Sequence, residues 1–152
     1  MKDTIDRLII PGRPFGKERP RKAKFLQGLY TPAKTLKYEA YIREIATKLT
    51  RMYPGPVKVD ITAVFEVPKS YSKKRRQACL EGKEMPTKKP DKDNIEKIVL
   101  DGLNPLYRLN KRTHKKELVK EGLYLDDKQV VAGETKKIYG EEPRVEVVIQ
   151  YF

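Results

Sequence analysis

The chain has 152 residues, and its 34 Lys and Arg against 21 Asp and Glu give a formal net charge of +13. This length predicts a single domain over residues 1–152, and the charge predicts a polyanionic partner, with nucleic acid the leading candidate. No apolar run approaches the ~20 residues of a spanning helix and the N-terminus lacks a signal-peptide core, so we expect a cytoplasmic protein without membrane association. With one cysteine and one histidine, the sequence argues against a disulfide, a zinc site and a His-based triad.

The N-terminal part predicts a strand followed by a charged loop. Residues 5–10 are rich in Ile and Leu and end at a Pro-Gly turn. In the loop at residues 12–24, Lys17, Arg19 and Arg21 alternate and would point to one side of an extended segment. Two interpretations stay open, a solvated loop and an arm that contacts phosphates.

A helix and the clearest strand of the chain follow. Thr31-Pro32 is typical of a helix start, and apolar residues then recur at helical spacing, so a helix is predicted from about 32 to 52. Alternation of apolar and polar residues predicts a strand over residues 57–67, with one face in a core.

A short basic helix is predicted next, with Ser72 as its cap and Gly82 at its end. Basic residues in the first turns oppose the helix dipole, which is modest evidence for a phosphate nearby, although a solvated charge run is equally compatible. A basic segment then leads into Pro90. The candidate DNA contacts are therefore Lys17, Arg19, Arg21, Lys73, Lys74, Arg75, Arg76, Lys88 and Lys89.

The C-terminal part predicts strands over residues 129–138 and 145–151. Before them, residues 105–122 are polar and basic, and we expect a mobile loop that is also a candidate DNA contact. The order of elements favours an α+β fold, with a mixed sheet of about four strands and helices packed on it.

Acidic residues gather in one stretch of this basic chain. If a helix opens at Asp93, its ~100° step per residue places Asn94, Lys97 and Asp101 on the same face as Asp93. The opposite face is apolar and suits a core, with Ile95, Ile98, Val99 and Leu103.

These acids have a structural and a chemical interpretation. Asp93 with Glu96 fits a capping box, and Asp93 with Lys97 fits an ion pair one turn apart. Capping leaves Asp91, Asp101 and the later pair Asp126–Asp127 unexplained, and gathering like charges is costly unless a cation lies between them. Oxygen ligands without His or Cys suit Mg²⁺ or Mn²⁺, and a basic protein with such ligands suggests metal-dependent phosphodiester cleavage, in which Lys97 would stabilise the transition state.

The sequence also resembles the RusA-like Holliday junction resolvases. The resemblance rests on Asp91 to Leu103, on Asp126 to Val130, and on Gly16 to Arg21 with Tyr30-Thr31-Pro32. It implies a homodimeric α/β fold that binds four-way DNA junctions and nicks two opposed strands symmetrically with Mg²⁺ or Mn²⁺. The essential acids would be Asp91, Asp93 and Asp127 as metal ligands, Lys97 would be the catalytic lysine, and Asp126 is a further candidate ligand. Asp101 and Asn94 would support them.

One departure from the family pattern is the long segment 104–122 before the Asp-Asp pair, which leaves open whether Asp126 or Asp127 reaches the metal. Three hypotheses follow. The chain is a metal-dependent endonuclease that resolves Holliday junctions in recombination or repair, a non-enzymatic protein that binds branched DNA, or an endonuclease for flaps or duplexes. No small-molecule substrate is expected.

Overall fold

The computed structural model describes residues 4–18, 21–22 and 29–152, with only the backbone described at residues 21, 29 and 30. Its strands are β1 (Thr4–Pro11), β2 (Arg21–Lys22), β3 (Leu29–Tyr30), β4 (Val57–Glu66), β5 (Leu106–Asn110), β6 (Lys115–Lys120), β7 (Val130–Ala132), β8 (Thr135–Gly140) and β9 (Arg144–Tyr151). Its α-helices are α1 (Ala33–Ile45), α2 (Lys73–Leu80) and α3 (Lys92–Leu103), with 3-10 helices at Ala46–Leu49 and Asp127–Gln129. In the part of the chain that is described, every helix is too short or too polar to cross a bilayer.

A mixed sheet forms the centre of the fold and confirms the predicted α+β class. Within the described residues it has five strands in the order β1-β9-β4, with β7 and β8 both on the far side of β4. The pairs β1–β9 and β9–β4 are antiparallel, whereas β7 and β8 run parallel to β4.

The predicted strand over residues 129–138 is divided into β7 and β8 by Gly133. This glycine has φ +128, and a Cβ there would lie 1.8 Å from the carbonyl oxygen of Val59. Only glycine permits both this backbone conformation and so close an approach to β4. The sheet therefore has one more strand than the sequence predicts.

The core lies between one face of the sheet and the helices α1 and α3. Alternate residues of β4 and β9 are buried, as their period-2 pattern predicts. Ile95, Ile98 and Val99 of α3 are fully buried against that face, each contributing roughly 1.5–3 kcal/mol of apolar burial. Gly102 allows close packing of α1 on α3, since a Cβ there would lie 2.8 Å from the Cβ of Ile42.

Two predicted helices are confirmed with adjusted ends. The helix predicted over 32–52 continues as α1 only to Ile45 and then tightens into the 3-10 helix Ala46–Leu49. The short basic helix is α2, and the hydroxyl of Ser72 accepts a hydrogen bond from the Arg75 backbone N–H at 3.2 Å.

The predicted irregular loop at residues 105–122 is instead an antiparallel hairpin formed by β5 and β6. The strands escaped prediction because they bury neither face, so apolar and polar residues alternate only from Tyr107 to Asn110 and the segment as a whole is polar and basic. Cross-strand backbone hydrogen bonds define this hairpin.

Candidate active site

The helix α3 begins one residue earlier than predicted, at Lys92, with Asp91 as its cap residue. The Asp91 carbonyl accepts the first helical hydrogen bond from Ile95 at 3.0 Å, but its carboxylate makes no capping hydrogen bond. The predicted capping box between Asp93 and Glu96 is therefore wrong, because Asp93 already lies in the first turn. Asp91 and Asp93 both present exposed carboxylates at the positive end of the helix dipole.

Lys97 turns away from Asp93 toward two other carboxylates. Its Nζ lies 3.3 Å from Oδ1 of Asp101, one turn further along α3, and 3.6 Å from Oδ2 of Asp127. Burial opposes the lysine charge, but the attraction of Asp101 and Asp127 outweighs it and raises the pKa of Lys97. The predicted pair of Asp93 with Lys97 is not formed, and Lys97 instead joins α3 to the distant Asp127.

Buried residues hold the segment that precedes Asp127 against α3. Leu123 and Tyr124 are fully buried. The Leu123 N–H donates to the Leu103 carbonyl at 3.0 Å, and the Tyr124 hydroxyl donates to the Leu100 carbonyl at 2.6 Å. These contacts fix the chain beside the last turns of α3 two residues before the acidic pair begins.

Asp126 and Asp127 have different surroundings. Asp126 caps the 3-10 helix, since its carboxylate accepts the Lys128 N–H at 2.9 Å while its own N–H donates to the Gln129 side chain at 2.9 Å. The amide of Gln129 donates in turn to the carbonyls of Tyr53 at 2.6 Å and Gly55 at 2.7 Å. Asp127 is the acid that faces Lys97.

The two neighbouring acids also differ in pKa. The Lys128 N–H and a hydrogen bond from Asp127 lower the pKa of Asp126. Burial and the same hydrogen bond raise the pKa of Asp127, against the opposing charge of Lys97. Burial first, and then the neighbouring carboxylates, therefore make the charged form of Asp127 costly, and a bound cation would stabilise that form.

A second lysine enters the site from the N-terminal loop. The Nζ of Lys17 lies 2.5 Å from Oε1 of Glu39 on α1 and 3.1 Å from Oδ2 of Asp101. Its backbone N–H donates to the Asn94 carbonyl at 2.8 Å. Burial opposes its charge, yet Glu39 and Asp101 raise the pKa of Lys17. Lys17 is thus engaged in the acidic network, whereas the sequence left open a solvated loop and an arm that contacts phosphates.

Sequence reasoning missed Glu39 as a member of this network. Its partner Lys17 is 22 positions away, and nothing in the local pattern of α1 distinguishes Glu39 from other polar helix residues. Packing of the loop brings Lys17 to this site, because a Cβ on Gly16 would lie 2.6 Å from the Cβ of Pro90, just before α3, and 3.2 Å from the Cβ of Asn94 in its first turn.

The donor chemistry of the site fits Mg²⁺ or Mn²⁺. Asp91, Asp93 and Asp127 offer carboxylate oxygens, the ligands that hard divalent cations prefer. Within the described residues, no three His, Cys, Asp or Glu side chains already converge as a metal cluster. The fit therefore rests on the type of donor and on the crowding at Asp127.

The other predicted DNA contacts occupy varied positions. Arg19 lies outside the described residues, and only the backbone of Arg21 is described, in β2. Arg75 is held at 3.1 Å by Glu84 and stacks 3.6 Å from the Tyr71 ring centroid. Lys73, Lys74 and Arg76 of α2 are exposed to solvent.

Lys88 and Lys89 line a cleft of about 290 Å³ together with Arg13, a residue that sequence reasoning did not select. Arg13 and Lys89 also line a second cleft, of about 410 Å³, which reaches Pro90 at the start of α3. The second cleft thus places Arg13 and Lys89 beside the acidic start of this helix.

Comparisons with known proteins identify relatives of the chain. A family model described as "Endodeoxyribonuclease RusA" matches residues 11–110, about two thirds of the chain. The match includes Asp91, Asp93, Lys97 and Asp101 and ends within the β5–β6 hairpin, before Asp127. The chain is also 35% identical over 146 residues to a Bacillus subtilis protein named "Uncharacterized protein YqaN", covering 93% of this chain and 89% of the relative.

Proposed function

Because the chain belongs to the RusA endodeoxyribonuclease family, we propose that it is a metal-dependent, structure-selective endonuclease that resolves Holliday junctions by paired symmetric nicks. The observation that carries the proposal is the ion pair of Lys97 with Asp127, at 3.6 Å, which joins the acidic start of α3 to the second acidic segment. A basic chain of net charge +13 suits a DNA substrate.

The residues divide the chemistry between them. Asp91, Asp93 and Asp127 would hold Mg²⁺, with Mn²⁺ as an alternative, and Asp126 mainly shapes the turn that presents Asp127. When bound, the cation supplies charge that polarises a phosphoryl oxygen and lowers the pKa of water. Lys97 stays protonated because its pKa is raised, and its charge stabilises the additional negative charge of the transition state.

Asp101 and Lys17 act by positioning Lys97. Asp101 accepts from Lys97 at 3.3 Å and from Lys17 at 3.1 Å, so its carboxylate is held between two ammonium groups. A lysine has several flexible bonds, and anchoring it reduces the entropy lost when it meets the scissile phosphate. Asn94 contributes through its carbonyl, which orients the Lys17 segment.

We further propose that the active species is a homodimer. A four-way junction has two equivalent strands to be cut, and a two-fold dimer presents two equivalent active sites to them.

Cleavage of matched substrates tests this function. A four-way junction, a flap and a linear duplex of the same sequence are incubated with the protein in Mg²⁺, Mn²⁺ or Ca²⁺. We expect symmetric nicks in the junction with Mg²⁺ or Mn²⁺, and Asp93→Asn should lose this cleavage while binding the junction in Ca²⁺. The control Glu44→Gln removes one exposed negative charge from α1 and should cleave normally.

The other outcomes select the other hypotheses. Junction binding without cleavage in any of these cations would make the chain a branched-DNA-binding accessory protein. Preferential cutting of flaps or duplexes would retain the nuclease and reject the junction as substrate.

A further inference from the structure

The β5–β6 hairpin, here called the basic hairpin (residues 106–120), projects from the fold without packing on it. All of its residues except Asn110 are exposed to solvent. Its turn is well ordered, because the Asn110 side chain accepts from the Arg112 N–H at 2.9 Å and donates to Glu117 at 2.6 Å. The hairpin is thus a defined ribbon whose two faces both meet solvent.

The base of the basic hairpin is closed beside the candidate active site. A Cβ on Gly122 would lie 2.5 Å from the Pro105 nitrogen, so the two ends of the hairpin touch. The Gly122 carbonyl accepts from the Arg51 and Met52 N–H groups, at 3.1 and 3.0 Å, and Leu123 is bonded to α3. A molecule bound to the hairpin would therefore extend close to Asp127.

The hairpin surface combines positive charge with exposed apolar side chains. The hairpin contains six Lys and Arg but only one Glu. Among the described residues, these six cations form no ion pair. Tyr107 lies opposite Leu118 across the strands, and Leu109 is on the same face. The exposed apolar residues are Leu106, Tyr107, Leu109, Leu118 and Val119, between 39% and 55% exposed.

Such a ribbon is expected to have a partner, because an isolated two-stranded hairpin is marginally stable and clustered apolar exposure marks binding surfaces. The charge decides which partner. If two hairpins met, six Lys and Arg with one Glu on each side would face like charge, whereas DNA offers phosphates to the cations and, at a branch point, exposed base faces to the apolar side chains. A two-stranded ribbon also fits a DNA groove.

We propose that the basic hairpin is a DNA-binding arm that holds the branch of the substrate beside Asp127, with its cations on phosphates and its Tyr107 face against unstacked bases. This inference rests on the proposed function for the nature of the substrate. It assigns a role to a segment whose second strand lies beyond the region matched by the family model.

The test removes the charge and the apolar face separately in the full-length chain. One variant combines Lys111→Ala, Arg112→Ala and Lys115→Ala, and its matched control combines Lys34→Ala, Lys37→Ala and Lys48→Ala at exposed positions of the first helical segment. Affinity for a labelled four-way junction is measured in Ca²⁺ between 50 and 200 mM salt. Each phosphate contact releases ~0.9 counterions, so three lost contacts change the salt dependence of the affinity. Between 50 and 200 mM salt, the affinity of the hairpin variant should therefore fall by a factor on the order of 40 less than the affinity of the native protein. The control should not differ from the native protein.

The apolar face is tested with Tyr107→Ala against Leu36→Ala, an exposed apolar residue of α1. Tyr107→Ala should lower affinity for the junction roughly 5- to 100-fold, as loss of one base-stacking contact does, and affinity for linear duplex less. Replacing residues 107–119 by Asn-Gly should preserve the fold and weaken junction binding most.

The results separate the two proposals. Unchanged binding and cleavage in all three hairpin variants would overturn the DNA-binding arm and leave the endonuclease intact. A halved molar mass of Tyr107→Ala by light scattering would also overturn it, in favour of a contact between copies. If the native protein binds junctions without cutting them, the proposed function fails while weaker binding by the hairpin variants still supports the arm.

Discussion

At the scale of single residues, the candidate site is an alternation of positive and negative side chains. Glu39, Lys17, Asp101, Lys97 and Asp127 each contact the next through an ion pair of 2.5 to 3.6 Å. Such a chain holds every member in place and keeps the lysines protonated. Removing an interior member therefore disturbs its neighbours on both sides.

Lys17 is distant in sequence from its partners Glu39 and Asp101, and its replacement tests the network. Lys17→Met leaves the carboxylates of Glu39 and Asp101 without their shared cation, and both are less than one-fifth exposed. We expect a loss of about 1–3 kcal/mol in the free energy of unfolding at pH 7, measured by urea titration. The matched control, Lys48→Met at an exposed position, should change it by less than about 0.5 kcal/mol.

Activity distinguishes positioning from stability alone. Below the unfolding transition, Lys17→Met should lower kcat for junction cleavage while leaving junction affinity in Ca²⁺ near normal, because Asp101, which positions Lys97, loses one of the two ammonium groups that hold it. An unchanged kcat with reduced stability would show that the network only stabilises the fold.

At the scale of elements, the basic hairpin lies between α3 and the segment that carries Asp127. The hairpin leaves after α3 and returns to the same point, where Leu123 and Tyr124 dock on α3. Asp127 is therefore placed by these buried residues, which follow the hairpin and are bonded to α3.

Gly122 is the residue on which this closure depends. In Gly122→Ala the added Cβ would meet backbone atoms, 2.5 Å from the Pro105 nitrogen and 2.6 Å from the Leu103 oxygen, which cannot yield as a side chain would. We expect a loss of about 1–3 kcal/mol in unfolding free energy and a lower cleavage rate, since the shift is passed to Asp127. Thermal denaturation and junction cleavage measure the two effects.

A control for that substitution is Gly82→Asn, at the end of α2. Nothing lies within 4 Å of a Cβ there, and Asn tolerates the positive φ of +79 better than most residues. Its cost should be smaller than that of Gly122→Ala, and cleavage should be unchanged. Equal costs at the two glycines would contradict the tight closure.

At the scale of the whole molecule, an ion pair between a buried carboxylate and a partly exposed arginine joins the sheet edge to the segment after α1. Both carboxylate oxygens of Asp6 in β1 accept from Arg51, at 2.8 and 3.1 Å. The guanidinium also lies 5.1 Å from the ring centroid of Tyr151 in β9. The hydrogen bonds from Arg51 lower the pKa of Asp6, against the opposing effect of burial.

This pair predicts a pH dependence of stability. Because the folded-state pKa of Asp6 is below its ordinary value of 3.8, the stabilisation is fully present above that value and is lost as the pH falls through the lower folded pKa. Asp6→Asn should cost about 1–2 kcal/mol at pH 6, since Arg51 is partly exposed. Urea titrations from pH 6 to pH 2.5 should show that cost shrinking below about pH 4, whereas a constant cost would contradict the assignment.

The sequence by itself determined the elements whose signals are local. The periodicity of residues 92–103 placed Ile95, Ile98 and Val99 in the core and the polar face outside, because a helix repeats every ~3.6 residues whatever surrounds it. The alternation in β4 and the cap at Ser72 were equally readable. The acidic motifs, together with Gly16 to Arg21 and Tyr30-Thr31-Pro32, also suggested the family that the family model identifies.

Only the tertiary structure decided how those elements meet. In the folded chain Lys17 forms ion pairs with both Glu39 and Asp101, and Lys97 pairs with Asp127 instead of Asp93. Asp126 and Asp127 also have different roles, because only Asp126 caps the 3-10 helix. The tertiary structure also formed the basic hairpin and split the predicted strand at Gly133. The physical reason is common to all of these: each depends on contacts between residues distant in the chain or on cross-strand hydrogen bonds, and neither leaves a periodic trace in the local sequence.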